Sequence, residues 1–468
     1  MLTRKPWIFM LVGLLMVSGM GILLWGNHTV VPDQDPPPPP FQVTLPAAGA
    51  KSCQRPPQVQ LPPESWSAQN LALLVNDRDP QSVEVARYYQ TQRRIPPQNL
   101  VHIDLPVDQE TLSPAQFAPV YAQVQAALGT EIEAIALSFS QPIRVNCMSI
   151  TSAFALGYDP NFCARQRPSA CRLPQSIPTY QAASHVPFHD YGIRPTMMLA
   201  GRNIAQVKDL IDRGVRSDRS FPAGQIFLVH TTDASRSVRF GKFFYLKQRW
   251  PSPHLWQVQF LGAQTPSRKT DVLRHRRNIL FYFTGLKWVP DLQTNRYLPG
   301  AIADHLTSLG GQLLTSPQMS ILRWLEAGVT GSYGTVVEPC NYPQKFPDPN
   351  VLVPHYFQGE TLLEAYWKSV ASPQEGLFVG DPLAQPMGAK RVFKHHQLQV
   401  RLASLSPGQR YQLYGAPTQN QPRVAVGQPW SLAYPQVVQM TLDCRYPSYF
   451  LTSQAVQPNE PAPVSKSR

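Results

Sequence analysis

Short apolar runs alternate with amphipathic segments along most of the chain. The run Leu71–Val75 is uninterrupted, which predicts a buried strand, and Leu100–Leu105 and Ile132–Leu137 predict two more. Asp79-Pro80 places an N-cap residue before a proline at the first helical position, and Ser113-Pro114 does the same for a second helix. This alternation indicates an α/β fold with a mostly parallel sheet covered by helices on both faces.

The alternation resumes after an irregular stretch. Asn146–Tyr191 is rich in cysteine and proline, and we expect it to form an insertion at the edge of the sheet. Beyond a helix that ends near Gly214 and another that begins near Ser235, the pattern predicts strands at Gln225–Val229, Trp256–Leu261, Ile279–Thr284, Gly334–Val337 and Gly376–Val379, and helices at Ser316–Gly328 and Thr361–Val370. No internal sequence repeat is evident.

Helical spacing ends near Lys390. Strict alternation, as in Leu398–Leu402, replaces it and predicts a small β-sandwich. The sequence therefore divides into an N-terminal anchor (residues 1–30), a proline-rich linker (31–65), an α/β domain (66–388) with a cysteine-rich insertion (146–191), a β-sandwich-like module (389–455) and a disordered tail (456–468).

The N-terminal segment has the pattern of a transmembrane helix. No charge interrupts Trp7–Trp25, a length that roughly crosses a hydrocarbon core of ~30 Å, and a tryptophan stands at each end. Arg4 and Lys5 keep the N-terminus cytoplasmic, so the globular part should face the periplasm or the extracellular side. A cleaved signal peptide is the alternative, although the apolar run is long and no Ala-x-Ala site follows. Pro36–Pro40 then favours an extended spacer.

Net charge and cysteine content limit the kinds of partner, disulfide and metal site that the sequence is expected to have. The net charge is +13, but basic residues are spread widely, which favours a solvated surface near anionic lipids and argues against nucleic acid. Cys163 and Cys171 bracket a short polar loop and predict a disulfide, with Cys147 as the competing partner. A metal site made of these three cysteines lacks a CxxC element and an adjacent histidine, so no metal is expected.

Nucleotide and zincin motifs are absent from the sequence. It contains no GxxxxGK[ST], no GxGxxG after the first strand and no HExxH, so no cofactor is expected. The pair His395-His396 is expected at the surface.

The segment Leu298–Leu383 contains the candidate chemistry. His305 and Cys340 each stand where a short apolar run gives way to a glycine- or proline-rich loop, the arrangement of a thiol nucleophile and its base. Neighbouring residues that could orient the histidine, bind a basic group or wall the pocket are Asp304, Glu338, Asn341 and Lys345. Adjacent strand residues point to opposite faces, so at most one of each neighbouring pair lines a given pocket.

Several motifs support a family resemblance. Val75-Asn76 with Ser82–Tyr89, Cys147–Ala153 and Arg194–Ala200 resemble an uncharacterised family of bacterial envelope proteins, over roughly Leu71 to Pro386. More remotely, the order of elements resembles gingipain-type cysteine peptidases of the caspase-like clan. That resemblance implies two α/β halves followed by an immunoglobulin-like domain, with a His-Gly pair at one strand end and a catalytic cysteine at the next.

The chain can be aligned with the gingipain-type pattern of a His-Gly pair and a catalytic cysteine in two registers. In the first, His305 is the base and Cys340 the nucleophile, 35 positions apart (340 minus 305). In the second, Thr284-Gly285 takes the His-Gly position and Asp304-His305 the cysteine position, so the dyad is absent. We prefer the second register because it accounts for three consecutive elements after residue 316.

Two functions follow from these registers. The first is a membrane-anchored binding or assembly module with a degenerate peptidase-like scaffold, whose partner is a peptide or protein of the cell envelope. The alternative is an active cysteine-dependent peptidase or acyl transferase that uses Cys340 and His305. A disulfide at Cys340 would exclude the alternative.

Overall fold

A computed structural model describes residues 36–45, 54–62, 65–164, 174–262, 270–417 and 422–455. The predicted anchor and tail, together with Cys53 and Cys171, lie outside these residues. In the part of the chain that the structure describes, no helix is long and apolar enough to cross a membrane.

The described strands range from two residues in the shortest to nine in the longest. They are β1 (Phe41–Val43), β2 (Gln58–Gln60), β3 (Leu71–Asn76), β4 (Leu100–Ile103), β5 (Thr111–Leu112), β6 (Ala134–Leu137), β7 (Arg144–Val145), β8 (Met148–Ser149), β9 (Thr196–Met198), β10 (Gly224–Val229), β11 (Trp256–Leu261), β12 (Ile279–Thr284), β13 (Tyr297–His305), β14 (Gly331–Thr335), β15 (Gly376–Gly380), β16 (Lys390–Lys394), β17 (Gln397–Leu402), β18 (Gln409–Ala416), β19 (Val424–Ser431), β20 (Val438–Leu442) and β21 (Ser448–Ala455).

The α-helices lie mainly between the strands of the α/β domain. They are α1 (Pro80–Arg93), α2 (Pro114–Ala127), α3 (Ile150–Leu156), α4 (Pro160–Ala164), α5 (Pro187–Tyr191), α6 (Ile204–Ser217), α7 (Phe240–Arg249), α8 (Leu322–Glu326), α9 (Pro349–Phe357) and α10 (Leu362–Lys368). The two predicted N-caps are confirmed, since the Asp79 side chain accepts from the Gln81 N–H and Ser113 forms a capping box with Gln116.

The central sheet has ten strands in the order β11-β10-β12-β13-β14-β15-β9-β6-β3-β4. Its pairs are parallel except β14 with β15. The predicted parallel-rich sheet is therefore confirmed, but the antiparallel junction divides it into two halves that run in opposite directions. The carboxyl ends of the two halves consequently face opposite edges of the sheet.

Both faces of the sheet are buried. Along β3, the side chains of Leu71, Leu73 and Val75 enter one hydrophobic core, and those of Ala72 and Leu74 enter the other. Helices α1, α6, α9 and α10 contribute to the first core, and α2, α3 and α8 to the second. A strand buried on both faces reads as a continuous apolar run, which is why β3 was recognisable in the sequence.

The C-terminal residues form the predicted β-sandwich. One sheet has the order β1-β20-β17-β16 and the other β19-β18-β21-β2, and side chains such as Val400, Leu413, Val426 and Met440 share a core between them. The strands β1 and β2 come from the predicted linker and pair with β20 and β21. This part of the linker is therefore not a simple spacer, because it completes both sheets of the module.

The cysteine-rich insertion is more regular than predicted. Helix α3 is buried and belongs to the same core as Val379 of β15 and Met198 of β9. A disulfide joins Cys147 to Cys163, so the competing partner was correct and the predicted Cys163–Cys171 pairing is wrong.

Candidate functional site

The ends of β12 and β13 contain the residues predicted to form the site. Thr284 and His305 are register partners at the carboxyl ends of these adjacent parallel strands. Strand β14, which precedes Cys340, lies on the other side of β13. Each of the two registers therefore places its candidate base and its candidate nucleophile position after neighbouring strands. Strand order does not separate the two registers, so the side-chain contacts have to be compared.

His305 is a buried structural residue. Its side chain is 1% exposed, its Nδ1 accepts a hydrogen bond from the Trp324 indole N–H at 3.0 Å, and its Nε2–H donates to the Met319 carbonyl at 3.1 Å. Burial lowers the pKa of His305 to about 3. The lowered pKa makes the ring a weak base, and hydrogen bonds occupy both of its nitrogens, so His305 is not placed to take a proton from a thiol.

Cys340 is disulfide-bonded. A disulfide sulfur is not a thiolate and cannot act as the nucleophile. The exposed Glu338 side chain accepts from the Cys340 backbone N–H at 2.8 Å, and Asn341 is exposed beside it. The hypothesis of a Cys340–His305 dyad is therefore wrong for this structure, and Glu338 does not orient the histidine.

Asp304 points to the opposite face from His305, as strand geometry requires. Its Oδ1 accepts from the Arg239 guanidinium at 2.5 Å, and the same guanidinium nitrogen donates to the Thr284 carbonyl at 2.9 Å. Asp304 and Arg239 are each 1% exposed. Burial raises the pKa of Asp304, while Arg239 acts against that rise. This ion pair fills the space beside the strand ends.

Gly285 and Lys345, two further residues of the predicted pocket, also have structural roles. Gly285 lies under the backbone of Arg236, because a Cβ at Gly285 would stand 1.9 Å from the Arg236 carbonyl oxygen. Lys345 does not wall a pocket, since its ammonium is buried against Glu375 at 2.6 Å. The predicted site is a closed polar core, in which the Thr284 hydroxyl and Asp304 Oδ2 are buried and have no hydrogen-bond partner among the described residues.

A second polar cluster lies at α10 and was missed in the sequence. The carboxylate of Glu364 accepts from His185 Nδ1 at 2.5 Å and from Lys368 at 3.1 Å, and it also contacts the Ser65 hydroxyl. Glu360 accepts from Lys368 at 2.8 Å and from His355 at 2.8 Å. The only sequence signal is the helical spacing of Glu360, Glu364 and Lys368, each four positions apart.

This cluster could be mistaken for a metal centre. The ligand atoms of His185, Glu360 and Glu364 lie within 4.8 Å of one another. The Lys368 ammonium, however, already contacts the same oxygen atoms of both carboxylates. A metal ion would have to displace this buried cation, so we assign the cluster as an ion-pair network.

A cleft of about 290 Å³ adjoins this network. It is bordered by Ser65 and Trp66 of the segment before β3, by His185 and His355 of the α/β domain, and by Ser404 of the β-sandwich. Ser65 accepts from the Thr361 N–H, and its hydroxyl contacts the Glu364 carboxylate. Burial alone would raise the pKa of the Glu364 carboxylate, but Lys368 and His185 hold it below its ordinary value, so this carboxylate is a weak base for activating the hydroxyl. The network therefore joins three parts of the chain.

Comparisons with known proteins found no matching family model and no matching curated protein. A solved structure titled "Structure of Protease" covers 83% of this chain and 97% of its own, with 11% identity and a TM-score of 0.41. A second, titled "Complex of Porphyromonas gingivalis RgpB pro- and mature domains", covers 83% of this chain and 100% of its own, with 10% identity and a TM-score of 0.35.

Proposed function

We propose that this protein is a binding or assembly module of the cell envelope, built on a peptidase-like α/β scaffold that has no thiol dyad. The observation that carries the proposal is the closed polar core at the ends of β12 and β13. There, Asp304 is held by Arg239, and His305 is held by Trp324 and Met319. The disulfide at Cys340 supports the same conclusion. A scaffold without the dyad acts by binding a peptide or protein partner.

Peptide hydrolysis tests this proposal. The full chain and the Cys340→Ser variant are expected to hydrolyse a mixture of internally quenched fluorogenic peptides at the same background rate, because no thiolate is present to attack. Prior reduction should not raise the rate, since His305 is buried and both of its ring nitrogens are already hydrogen-bonded. Hydrolysis by the wild-type chain well above the rate of the variant would contradict the proposal.

We also propose that the globular part is exported and anchored by Trp7–Trp25. The uncharged span and the preceding Arg4 and Lys5 support this location, and the Cys147–Cys163 disulfide suits an oxidising compartment. After cell lysis and a high-salt wash, the chain is expected in the membrane fraction. Recovery in the soluble fraction would contradict the anchor and favour a cleaved signal peptide.

A further inference from the structure

The two halves of the central sheet share one strand order. In β4-β3-β6-β9 and in β11-β10-β12-β13, the first strand along the chain lies between the second and the third, and the fourth lies beyond the third. All of these neighbours are parallel. The crevice at the carboxyl ends of the first and third strands is the place where the order reverses, and such a crevice is where open α/β sheets bind ligands.

The same hydrogen bonds recur at the two crevices. Ser82 follows Asn76 by six positions, and its hydroxyl accepts from the Asn76 N–H at 2.9 Å. Ser237 follows Thr231 by six positions and accepts from the Thr231 N–H at 3.2 Å. In each half, one hydroxyl of this pair also forms a hydrogen bond with the residue that directly follows the third strand.

In the first half that third-strand residue is Ser138, whose hydroxyl is 2.7 Å from the Ser82 hydroxyl. In the second half it is Gly285, whose carbonyl accepts from the Thr231 hydroxyl at 2.6 Å. The halves are therefore structural counterparts, although the sequence shows no repeat.

The crevice of the second half is closed. The Arg236 backbone lies against Gly285, and the Arg236 guanidinium donates to the Thr307 hydroxyl at 3.1 Å and to Asp233 at 2.8 Å. These contacts lay the loop before α7 across the ends of β12 and β13. A ligand cannot reach the strand ends there without moving backbone.

The crevice of the first half is open. A cavity of about 300 Å³ lies at the ends of β3, β6 and β9, within the range of ~300–1,000 Å³ that ligand pockets occupy. Leu199 and Val207 contribute its buried apolar wall, and Val107 and Leu314 lie at its rim with 46% and 42% of their surface exposed. Large apolar side chains exposed around one cavity mark a binding site more often than isolated ones do.

The charged side chains that line this crevice already have hydrogen-bond partners within the protein. Asp79 caps α1 by accepting from the Gln81 N–H, and Arg202 is paired with Glu326 at 2.7 Å. The side-chain amides of Gln81 and Gln141 also line the cavity and have no hydrogen-bond partner among the described residues. A side-chain amide offers both a donor and an acceptor, which matches a peptide unit.

We propose that the open crevice of the first half binds an uncharged peptide segment, with one apolar side chain seated between Val107 and Leu314 and a peptide group facing Gln141. The inference rests on the proposed binding function and names its site and ligand class. The crevice of the second half, on the opposite edge of the sheet, is excluded because it is closed.

Saturation-transfer NMR on the full chain in lipid nanodiscs tests this site. The probe is acetyl-Ala-Leu-Ala-amide, and acetyl-Ala-Ser-Ala-amide is its matched control. The leucine methyl groups should receive saturation from the wild-type protein, and the serine peptide should receive much less. Val107→Asp and Leu314→Asp should each weaken binding about tenfold, because a charge at the rim opposes entry of an apolar group.

Trp288→Asp is the matched control variant, because Trp288 is an exposed large apolar residue, 57% exposed, away from the cavity lining. It should bind the leucine peptide like the wild-type protein. All three variants change exposed residues and should keep the wild-type melting temperature. Absence of transfer from the folded wild-type protein, or unchanged binding by both rim variants, would overturn the inference. New resonances from cleaved probe would instead overturn the proposed non-catalytic function.

Discussion

Arg239→Met is expected to lower the free energy of unfolding by about 3–5 kcal/mol. The guanidinium is the only group that neutralises Asp304 among the described residues, and both side chains are 1% exposed. It also lies over the rings of Phe283 and Phe346, each 5.9 Å from the guanidinium carbon. Methionine keeps the apolar contacts but leaves a buried carboxylate unpaired. Urea unfolding of the purified variant measures the loss.

Arg249→Met is the control for this substitution. Arg249 ends the helix that Arg239 precedes, and its side chain is exposed. Its replacement should change the free energy of unfolding by no more than about 0.5 kcal/mol. A cost below about 1 kcal/mol for Arg239→Met would contradict the assignment of the strand ends as a closed ion-pair core.

His185→Gln is expected to lower the free energy of unfolding by about 1.5–3 kcal/mol near pH 5.5, and by much less near pH 8.5. The hydrogen bond to Glu364 raises the pKa of His185 in the folded protein. Burial would raise the pKa of Glu364, but Lys368 and His185 hold it below its ordinary value, so the carboxylate stays ionised throughout this range.

The direction of the pH effect follows from linkage. A folded-state pKa raised above the unfolded value of about 6.5 gives stability that is fully present below that value and is lost as the pH rises through the folded pKa. The difference between wild-type and variant should therefore shrink from pH 5.5 to pH 8.5. His102→Gln is the control, because His102 contacts Asp77 at 2.7 Å but both side chains are more than half exposed. A difference that grows with pH would contradict the assignment.

The sequence predicted most accurately those helices and strands whose bounds depend on local patterns alone. The strands β11 and β12 agree with their predicted bounds to the residue, because each is an apolar-rich run bounded by turn residues. Helix α1 begins where Asp79 and Pro80 place it. The three-residue strand β9 is too short to show a periodicity, and α9 has Pro354 in its interior, which argues against a helix in the sequence.

Other errors arose where tertiary contacts override local preference. The predicted helix at Ser316–Gly328 is reduced to Leu322–Glu326, because the hydroxyls of Ser316 and Ser320 donate to the Leu309 and Leu313 carbonyls of the preceding loop. Strand β14 begins at Gly331, earlier than predicted, and a Cβ at Gly331 would stand 2.8 Å from the Leu362 side chain. The pairing of β1 with β20 joins segments almost four hundred positions apart and leaves no local signal.

The candidate site shows the same limit. The sequence placed Thr284 and His305 at the ends of neighbouring strands, and the structure shows them there as register partners. It could not show that Asp304 is neutralised by Arg239, 65 positions earlier, because a charge pair of this kind has no fixed spacing. It could not distinguish a free Cys340 from a bonded one either, since disulfide formation depends on Cα separation in the folded chain.

Alkylation of Cys340 tests the central claim most directly. The full chain is treated with iodoacetamide without reduction, digested, and the peptide containing Cys340 is quantified by mass spectrometry. We predict no carbamidomethyl Cys340 in the native protein and complete labelling after reduction and unfolding, because the sulfur is in a disulfide. Stoichiometric labelling of Cys340 in the native protein, abolished by His305→Ala, would contradict the account and restore the thiol–imidazole pair.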